Sequence, residues 1–202
     1  MSGRVLVLGS LNVDVVTRVH RHPAPGETVL GDGLQRFAGG KGGNQAVAAS
    51  AAGAHVTFAG AVGSDDAGAA YRRRLADLGI DVAALVTVDG PSGHALVQVD
   101  EGGENSIVVI PGANAAVNDA EGSPAMRAVA ELAPGDVLLM QLEVPLTTVA
   151  AAARLAAQRG ARVVINAAPF AELPAETIAV ADPQLRAADP RAKLTLRREP
   201  SR

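Results

Sequence analysis

The stretch Arg4-Val5-Leu6-Val7-Leu8-Gly9 carries a continuous apolar run that ends in glycine. A run without polar alternation is typical of a strand buried on both faces of a parallel sheet. Further along the chain, more apolar runs alternate with helical patterns. The runs lie at 56–63, 136–142 and 162–166, and the helical patterns at 65–78 (with Ser64 as N-cap), 119–132 and 145–159. This alternation predicts an α/β fold with a mostly parallel sheet.

Two extended segments, at about 12–37 and 92–111, interrupt the alternation of strands and helices. The first alternates polar and apolar residues, and the second contains two strand-like runs joined by the turn Glu101-Gly102-Gly103-Glu104. Half-exposed strands of this kind do not suit the interior of a parallel sheet. We therefore expect the two segments to pair with each other as a small lid.

Composition narrows the class of protein. The chain has 202 residues, 48% of them apolar and only 2% aromatic, which predicts one domain with a core of Ala, Val and Leu. The absence of Cys excludes disulfides and thiolate chemistry. A five-residue apolar run near the N-terminus is too short for a signal peptide, and no run approaches membrane length, so we expect a cytoplasmic protein. Residues 1–182 carry 12 basic and 19 acidic residues, and this net charge of −7 argues against binding to nucleic acid.

The segment Gly39-Gly40-Lys41-Gly42-Gly43-Asn44 has the strongest local signal for a ligand. Four glycines before a helix allow backbone N–H groups to approach a polar ligand closely. It is not a Walker phosphate loop, because Gly42 follows Lys41 where Ser or Thr is required. On spacing alone, the segment is either a ligand-binding loop or a plain tight turn.

Three polar residues follow apolar strands at their carboxyl ends. Asn12 and Asp14 come just after the first strand and are spaced to share one face, and Glu143 follows the strand at 136–142. Ligands of open α/β sheets bind at this edge. Each residue alone suits a helix cap or a solvated loop, but together with the glycine-rich segment they predict a polyol site. His20 and His22 lie in a proline-flanked turn and are interpreted as surface residues, not as a metal pair.

These segments together resemble a known family. VLVLGSLNVDVV (5–16), FAGGKGGNQAVAAS (37–50), GGENSIVVIPGANA (102–115) and LLMQLEVP (138–145) are similar to the PfkB family of carbohydrate kinases, and to its ribokinases more than to its fructokinase-like or adenosine-kinase-like members. The match runs over about 3–182. The resemblance implies a three-layer α/β/α fold with a small β lid that also forms a homodimer interface.

The same resemblance implies an activity and a set of sugar-binding groups. The activity is ATP-dependent phosphorylation of D-ribose at its 5-hydroxyl, with Mg²⁺ and a monovalent cation such as K⁺. The groups carried over by position are Asn12, Asp14, Gly40, Lys41, Asn44 and Glu143.

The catalytic half of the family pattern is not found in this sequence. Members of the family carry a Gly-Ala-Gly-Asp helix start that supplies an anion hole and the general-base Asp. Here Gly135-Asp136 precedes a strand, and Gly63-Ser64-Asp65 matches an earlier family step. No catalytic residue is therefore assigned, and residues for ATP and the cations are expected to be largely absent.

The pattern changes after Asp182. Residues 183–202 contain three prolines and six basic residues and have no apolar stripe, which predicts a disordered tail outside the family-like part, 1–182. We expect a truncated or frameshifted copy of the kinase that lacks activity. Two alternatives stay open: a sugar-binding remnant without catalysis, and a kinase for another PfkB-type sugar or nucleoside.

Overall fold

The computed structural model describes residues 3–186, which form two sheets and five α-helices. Strands β1 to β10 and helices α1 to α5 are numbered in chain order. Their bounds are β1 Val5–Leu8, β2 Asn12–Val19, β3 Gly31–Gly39, α1 Lys41–Ala51, β4 Val56–Gly63, α2 Asp66–Asp77, β5 Leu85–Val88, β6 Gly93–Val99, β7 Asn105–Ile110, α3 Pro124–Ala130, β8 Val137–Gln141, α4 Leu146–Gln158, β9 Arg162–Ala167, α5 Ala175–Val180 and β10 Ala181–Arg186. A short 3₁₀ helix, Gly112–Ala116, follows β7.

The main sheet is parallel and has the strand order β10-β9-β8-β1-β4-β5. β1 lies between β4 and β8, so it is covered along both edges as well as on both faces. Its side chains alternate between two apolar layers, with Val7 on one side and Leu6 and Leu8 on the other. This explains the uninterrupted apolar run that the sequence shows there.

Helices cover both faces of this sheet. α1 and α2 pack on the side of Val7, where Phe58, Tyr71 and Leu75 are buried. α3 and α4 pack on the other side, where Ala152, Ala153 and Ala156 of α4 are fully buried. Alanines let a helix approach a sheet closely, and they form much of this core in place of rings. The predicted three-layer α/β/α fold is confirmed.

The second sheet contains four strands in the order β3-β2-β6-β7. They come from the two segments, 12–37 and 92–111, that the sequence analysis assigns to a lid, with β3 ending two residues later, at Gly39. Asp14 pairs with Phe37 and Ala95, and Ala95 pairs with Val109, so these four residues form one row on one face. These four strands form the small sheet.

α3 begins at Pro124 and not at about residue 119, because the Ser123 hydroxyl caps it there by accepting from Met126 N–H. The starts of α1 and α2 differ from the sequence predictions for a tertiary reason. α1 already begins at Lys41, so Gly42 and Gly43 are helical and are not part of a turn before the helix. The N-cap of α2 is Asp65 and not Ser64: its carboxylate accepts hydrogen bonds from Gly68 N–H and from the Ser92 hydroxyl and N–H. Residues far along the chain therefore select these helix starts.

The C-terminal boundary also differs. β10 pairs in parallel with β9 and includes 183–186, which the sequence analysis assigns to the tail. Backbone pairing with β9 extends the sheet here, and backbone bonds leave little trace in side-chain patterning. The rest of the predicted tail, 187–202, lies outside the described residues. Within 3–186, no helix has the length and apolarity needed to cross a membrane. The cytoplasmic location stays a prediction.

Candidate functional site

Lys41 and Glu143 form the centre of the candidate site. The Lys41 ammonium lies 2.8 Å from Glu143 Oε1, and the Lys41 backbone N–H donates to Oε2 at 3.0 Å. The hydroxyl of Ser10, which follows β1, also donates to Oε2. The Glu143 side chain is 5% exposed, whereas that of Lys41 is 39% exposed and reaches solvent. The predicted convergence of the ends of β1 and β8 with the start of α1 is therefore observed.

Glycines make this approach possible. Gly40 has φ of 86°, and a Cβ there would lie 2.7 Å from Asn12 N and 2.9 Å from Ser10 O. A Cβ at Gly42 would lie 2.7 Å from both Ser10 N and Ser10 O. Because these positions have no side chain, α1 can begin against the β1–β2 connection, and Gly43 N–H donates to Ser10 O at 3.0 Å.

Glu143 is held as a carboxylate. Burial alone would raise its pKa, but hydrogen bonds from the Lys41 ammonium, the Ser10 hydroxyl and the Lys41 N–H outweigh that effect and lower the pKa below the usual value. The carboxylate also accepts at the positive end of α1, which favours its charged form. One acid thus fixes the helix start and the position of the Lys41 side chain.

Asp14 lies beside this ion pair on the small sheet. Its carboxylate covers Gly39, where any Cβ would overlap it. Burial raises the pKa of Asp14, as does the charge of Glu143, and the charge of Lys41 lowers it in part. Burial raises the pKa of Tyr71, and the charge of Asp14 raises it further. The Tyr71 hydroxyl donates to Gly39 O at 2.6 Å. Among residues 3–186, Asp14 is therefore an acceptor that forms no ion pair.

Asn12 and Asn114 form a buried amide pair next to Asp14. Asn114 Nδ2 donates to Asn12 Oδ1 at 2.8 Å, and the two residues are 1% and 2% exposed respectively. Sequence reasoning selected Asn12 but missed Asn114, which lies in the 3₁₀ helix after β7. The signal that could have found it is an Asn two residues after the Pro111-Gly112 pair, where the chain leaves the small sheet.

The remaining predicted residue, Asn44, is exposed on the first turn of α1. Its backbone N–H donates to Gly40 O at 3.0 Å, and its side chain makes no hydrogen bond within 3–186. The neighbouring Gln45 accepts from Gln141 Nε2 at 2.6 Å, while Gln141 Oε1 is buried and has no hydrogen-bond partner in the described part of the chain. Gln141 was also missed, although it stands two residues before Glu143 in the quoted family segment.

The histidines are remote from this site. His20 pairs with Glu101 at 2.7 Å, and His22 Nε2 lies 3.8 Å from Asp100 Oδ2, at the outer end of the small sheet. Residues 3–186 contain no group of three or more His, Asp or Glu side chains that could hold a metal ion. None of these residues is assigned to a cation.

A cavity of about 190 Å³ lies at the opposite, amino-terminal edge of the main sheet. Arg4 and Arg127 line it, but Arg4 binds Asp136 at 3.0 Å and Arg127 donates to Gly122 O at 2.5 Å. The cationic groups at this edge are thus already paired with the protein. The convergent polar groups lie at the carboxyl edge, where open α/β sheets bind their ligands.

The carboxyl edge combines complementary hydrogen-bonding groups. Asp14 accepts, Lys41 donates, and the Asn12 amide, whose Oδ1 accepts from Asn114, has an NH₂ group that can donate. Sugar hydroxyls both donate and accept, so a neutral polyol can satisfy such a set without bringing charge of its own.

Comparison with known proteins also points to carbohydrate kinases. The profile described as pfkB family carbohydrate kinase matches residues 2–184. A ribokinase of Haemophilus influenzae is 41% identical over 183 residues, which are 90% of this chain and 59% of that protein. The chain therefore spans about three fifths of the length of that relative.

Two solved structures extend the comparison. An Arabidopsis thaliana ribokinase complexed with ribose and ATP has a TM-score of 0.78 and 28% identity, over 90% of this chain and 59% of its own. A ribokinase of Cryptococcus neoformans in complex with ADP has a TM-score of 0.74 and 36% identity, over 85% of this chain and 53% of its own. Both support the three-layer fold and the small sheet.

Proposed function

The chain belongs to the pfkB family of carbohydrate kinases, and on that premise we propose that residues 3–186 are the sugar-binding part of a ribokinase-type kinase. The reaction proposed for the whole enzyme is transfer of the terminal phosphoryl group of ATP to the 5-hydroxyl of D-ribose, with Mg²⁺ and K⁺ as cofactors. Relatives that are named ribokinases support this choice of sugar. No residue of 3–186 is assigned to ATP or to the cations.

One observation carries the proposal: the Lys41–Glu143 pair lies beside Asp14 at the carboxyl edge of the main sheet. The pair orients a single ammonium group, and Asp14 adds an acceptor from the small sheet. We propose Asn12, Asp14, Gly40, Lys41, Asn44 and Glu143 as the sugar-contacting set. Asn44 joins it through its position one helical turn from Gly40, with its side chain open to a ligand.

Calorimetry with the 202-residue protein tests the proposed sugar. D-ribose is titrated alongside D-fructose, 2-deoxy-D-ribose and adenosine. We expect ribose to bind most tightly, because donors and acceptors on two strands and a helix start can pair with adjacent hydroxyls. Tighter binding of fructose or adenosine would favour a kinase of another PfkB-type sugar or nucleoside. No binding of any of the four would overturn the proposal of a sugar site.

We propose further that this chain alone binds the sugar and does not transfer phosphate. It would then act as a sugar-binding protein without catalysis, which is the second candidate function. Phosphoryl transfer needs a base for the attacking hydroxyl and charge stabilisation for the phosphates. The sequence has no Gly-Ala-Gly-Asp helix start, Glu143 is bonded to Ser10 and Lys41, and Asp14 is proposed to accept from the sugar. The test is ADP formation with ATP, Mg²⁺, K⁺ and ribose; production of ADP that depends on ribose would contradict this part of the proposal.

The small sheet is also proposed to join two copies of this chain. Its outer strands, β3 and β7, have no neighbour on their outer edges within 3–186. Apolar side chains are exposed on both faces: Ile107 is 50% exposed on the Asp14 side, and Val108 is 59% exposed on the other. An exposed apolar sheet with open edges favours association with a like sheet.

Sedimentation equilibrium of Ile107→Lys and Val108→Lys variants tests the dimer. We expect the wild-type protein to be a dimer and one of the two variants to be a monomer, which identifies the buried face. Arg73→Glu, an exposed change on α2, is the control and should leave the dimer intact. A monomeric wild-type protein would contradict the proposal.

A further inference from the structure

A chain of buried amides connects the backbone of the β1–β2 connection to the candidate site. Asn114 Oδ1 accepts from Leu11 N–H at 2.9 Å, and Asn114 Nδ2 donates to Leu11 O at 3.1 Å. The same Nδ2 donates to Asn12 Oδ1 at 2.8 Å. All the hydrogens of the Asn114 amide and one lone pair of its oxygen are therefore used.

This connection fixes the orientation of both amides. A backbone N–H and C=O cannot exchange their roles, so Leu11 determines which end of the Asn114 amide is the oxygen. Asn114 Nδ2 then requires an acceptor from Asn12, which must present Oδ1 to it. The Asn12 NH₂ group is consequently turned away from Asn114.

The Asn12 NH₂ group is available to a ligand. Nδ2 has no partner among the residues that the structure describes, and it is not one of their buried unpaired atoms. It therefore retains contact with solvent, although Asn12 as a whole is 2% exposed. Asp14 lies two residues along the same strand, on the same face.

Gly93 leaves the space that the amide pair needs. It starts β6 opposite Asn12, and a Cβ there would overlap both Asn114 Nδ2 and Asn12 Oδ1. The pair is thus enclosed by the first residues of β2 and β6 and by the 3₁₀ helix. These are three of the crossings between the main sheet and the small sheet.

We propose that Asn114 is a positioning residue that holds Asn12 as a hydrogen-bond donor to a sugar hydroxyl, while Asp14 on the same face is an acceptor. The inference rests on the proposed function, because it concerns how the same sugar site is oriented. It assigns a role in recognition to a residue that does not itself reach the ligand. The site would then recognise two neighbouring sugar hydroxyls, one that accepts from Asn12 and one that donates to Asp14.

A double-mutant cycle on ribose affinity tests this role. The variants are Asn12→Ala, Asn114→Asp and the double variant, with Asn118→Asp as the matched control. Asn118 is exposed on the same segment, and its Oδ1 accepts from Ala120 N–H, which a carboxylate can also do. Its Nδ2 donates to Ala116 O, so Asn118→Asp also removes an amide donor, away from the site. A carboxylate at position 114 can only accept, so it would reverse the Asn12 amide and turn Oδ1 towards the sugar.

The expected results follow from that reversal. Asn12→Ala and Asn114→Asp should each weaken ribose binding about tenfold or more, since each removes the same donor. The double variant should match Asn12→Ala within about twofold, because no amide is left to reverse. Asn118→Asp should match the wild type within about twofold, which excludes a general effect of added charge.

Several outcomes would overturn the inference while the proposed function stands. Additive losses in the double variant would mean that Asn114 acts independently of Asn12. Unchanged ribose affinity in Asn12→Ala would show that Asn12 is not a donor to the sugar. Unchanged affinity in Asn114→Asp would show that Asn114 does not orient Asn12. Failure of the wild-type protein to bind ribose is a different result, which refutes the proposed function and with it the orientation proposed here.

Side-chain amide NMR of the wild-type protein provides a readout that needs no folded variant. The Asn114 NH₂ protons should exchange slowly with solvent both with and without ribose, since both are bonded internally. The Asn12 NH₂ protons should exchange quickly in the free protein and slowly with ribose bound. An Asn12 NH₂ group that is already protected in the free protein, or that ribose leaves unchanged, would refute the orientation.

Discussion

Lys41 and Glu143 are 102 positions apart in the chain and are joined twice, once through the Lys41 ammonium and once through its backbone N–H. The double connection separates two roles of one residue. The backbone bond holds the start of α1, and the side-chain bond orients the ammonium group. Substitution of the side chain therefore leaves the first bond in place.

Lys41→Met should weaken ribose binding about tenfold or more, since hydrogen bonds from a charged donor are worth about 1.5–3 kcal/mol. The free energy of unfolding should fall by only about 1–2 kcal/mol, because Lys41 is partly exposed and Glu143 keeps the bonds from Ser10 and the backbone. Calorimetry and urea unfolding measure the two effects. Arg73→Met, which removes an exposed cation from α2, is the control. Equal ribose affinity in both variants would contradict the role of Lys41.

Glu143→Gln should change the dependence of stability on pH. Although burial raises the pKa of Glu143, hydrogen bonds from Lys41 and Ser10 bring it below 4.5 in the folded state. A lowered folded-state pKa stabilises the protein above the unfolded value and ceases to do so as the pH falls through the folded one.

At neutral pH we therefore expect Glu143→Gln to be less stable than the wild type by about 1–3 kcal/mol. The difference should shrink as the pH falls below 4.5. Urea unfolding at a series of pH values measures it, and the lowered pKa values of Asp65 and Asp136 are common to both proteins and cancel. A difference that does not change with pH would contradict the assignment.

Asp14→Asn should stabilise the fold and impair the site. Burial, followed by the charge of Glu143, raises the pKa of Asp14 above its usual value, against a smaller opposing effect of Lys41. A raised folded-state pKa means that the group favours folding at low pH and that this contribution is lost as the pH rises through the folded value.

The ionised Asp14 therefore costs stability at neutral pH, and Asp14→Asn should have the higher Tm there, with the gain disappearing towards acid pH. Ribose affinity should fall about tenfold or more. Thermal unfolding and calorimetry on the same samples check both. A variant with a lower Tm at neutral pH, or with wild-type affinity, would be inconsistent with this view of Asp14.

Gly40→Ala and Gly53→Ala compare a crowded glycine with an open one. Both glycines have a positive φ, 86° and 88°, so an alanine is strained at either position. The strain is greater at Gly40, because its ψ of 135° lies outside the left-handed helical region and is adopted almost only by glycine. Only at Gly40 would the new Cβ also press against Asn12 N and Ser10 O; at Gly53 there is nothing within 4 Å.

We expect Gly40→Ala to lose a further 1–3 kcal/mol, roughly, in the free energy of unfolding and to lose ribose binding. Gly53→Ala should bind ribose like the wild type. Equal losses of stability in the two variants would show that the close approach at Gly40 is not tight.

The fold could be predicted from the sequence because its signals are local. The run at Val5–Leu8 and the alternation of β2 follow from which faces are buried, and both patterns can be counted along the chain. Asn12, Asp14 and Glu143 could be placed at one edge because parallel strands end on the same side.

The start of α1 and the role of Asn114 could not be predicted in this way. Glycine disfavours helix, so Gly42 and Gly43 indicated a turn; the bond from Lys41 N–H to Glu143 and the packing on Ser10 outweigh that preference. Asn114 depends on a contact with Leu11 across 103 positions, and no periodicity records it. Features fixed by long-range polar contacts leave little trace in local patterns.

The position of β1 between β4 and β8 has a consequence for synthesis. A ribosome makes β1, α1 and β4 early, but the other neighbour of β1 begins at Val137. Until that strand has emerged, Lys41 has no acid partner and one edge of β1 is unpaired. A nascent chain that ends before Glu143 would thus hold five of the six residues proposed to contact the sugar and still lack the acid that orients Lys41.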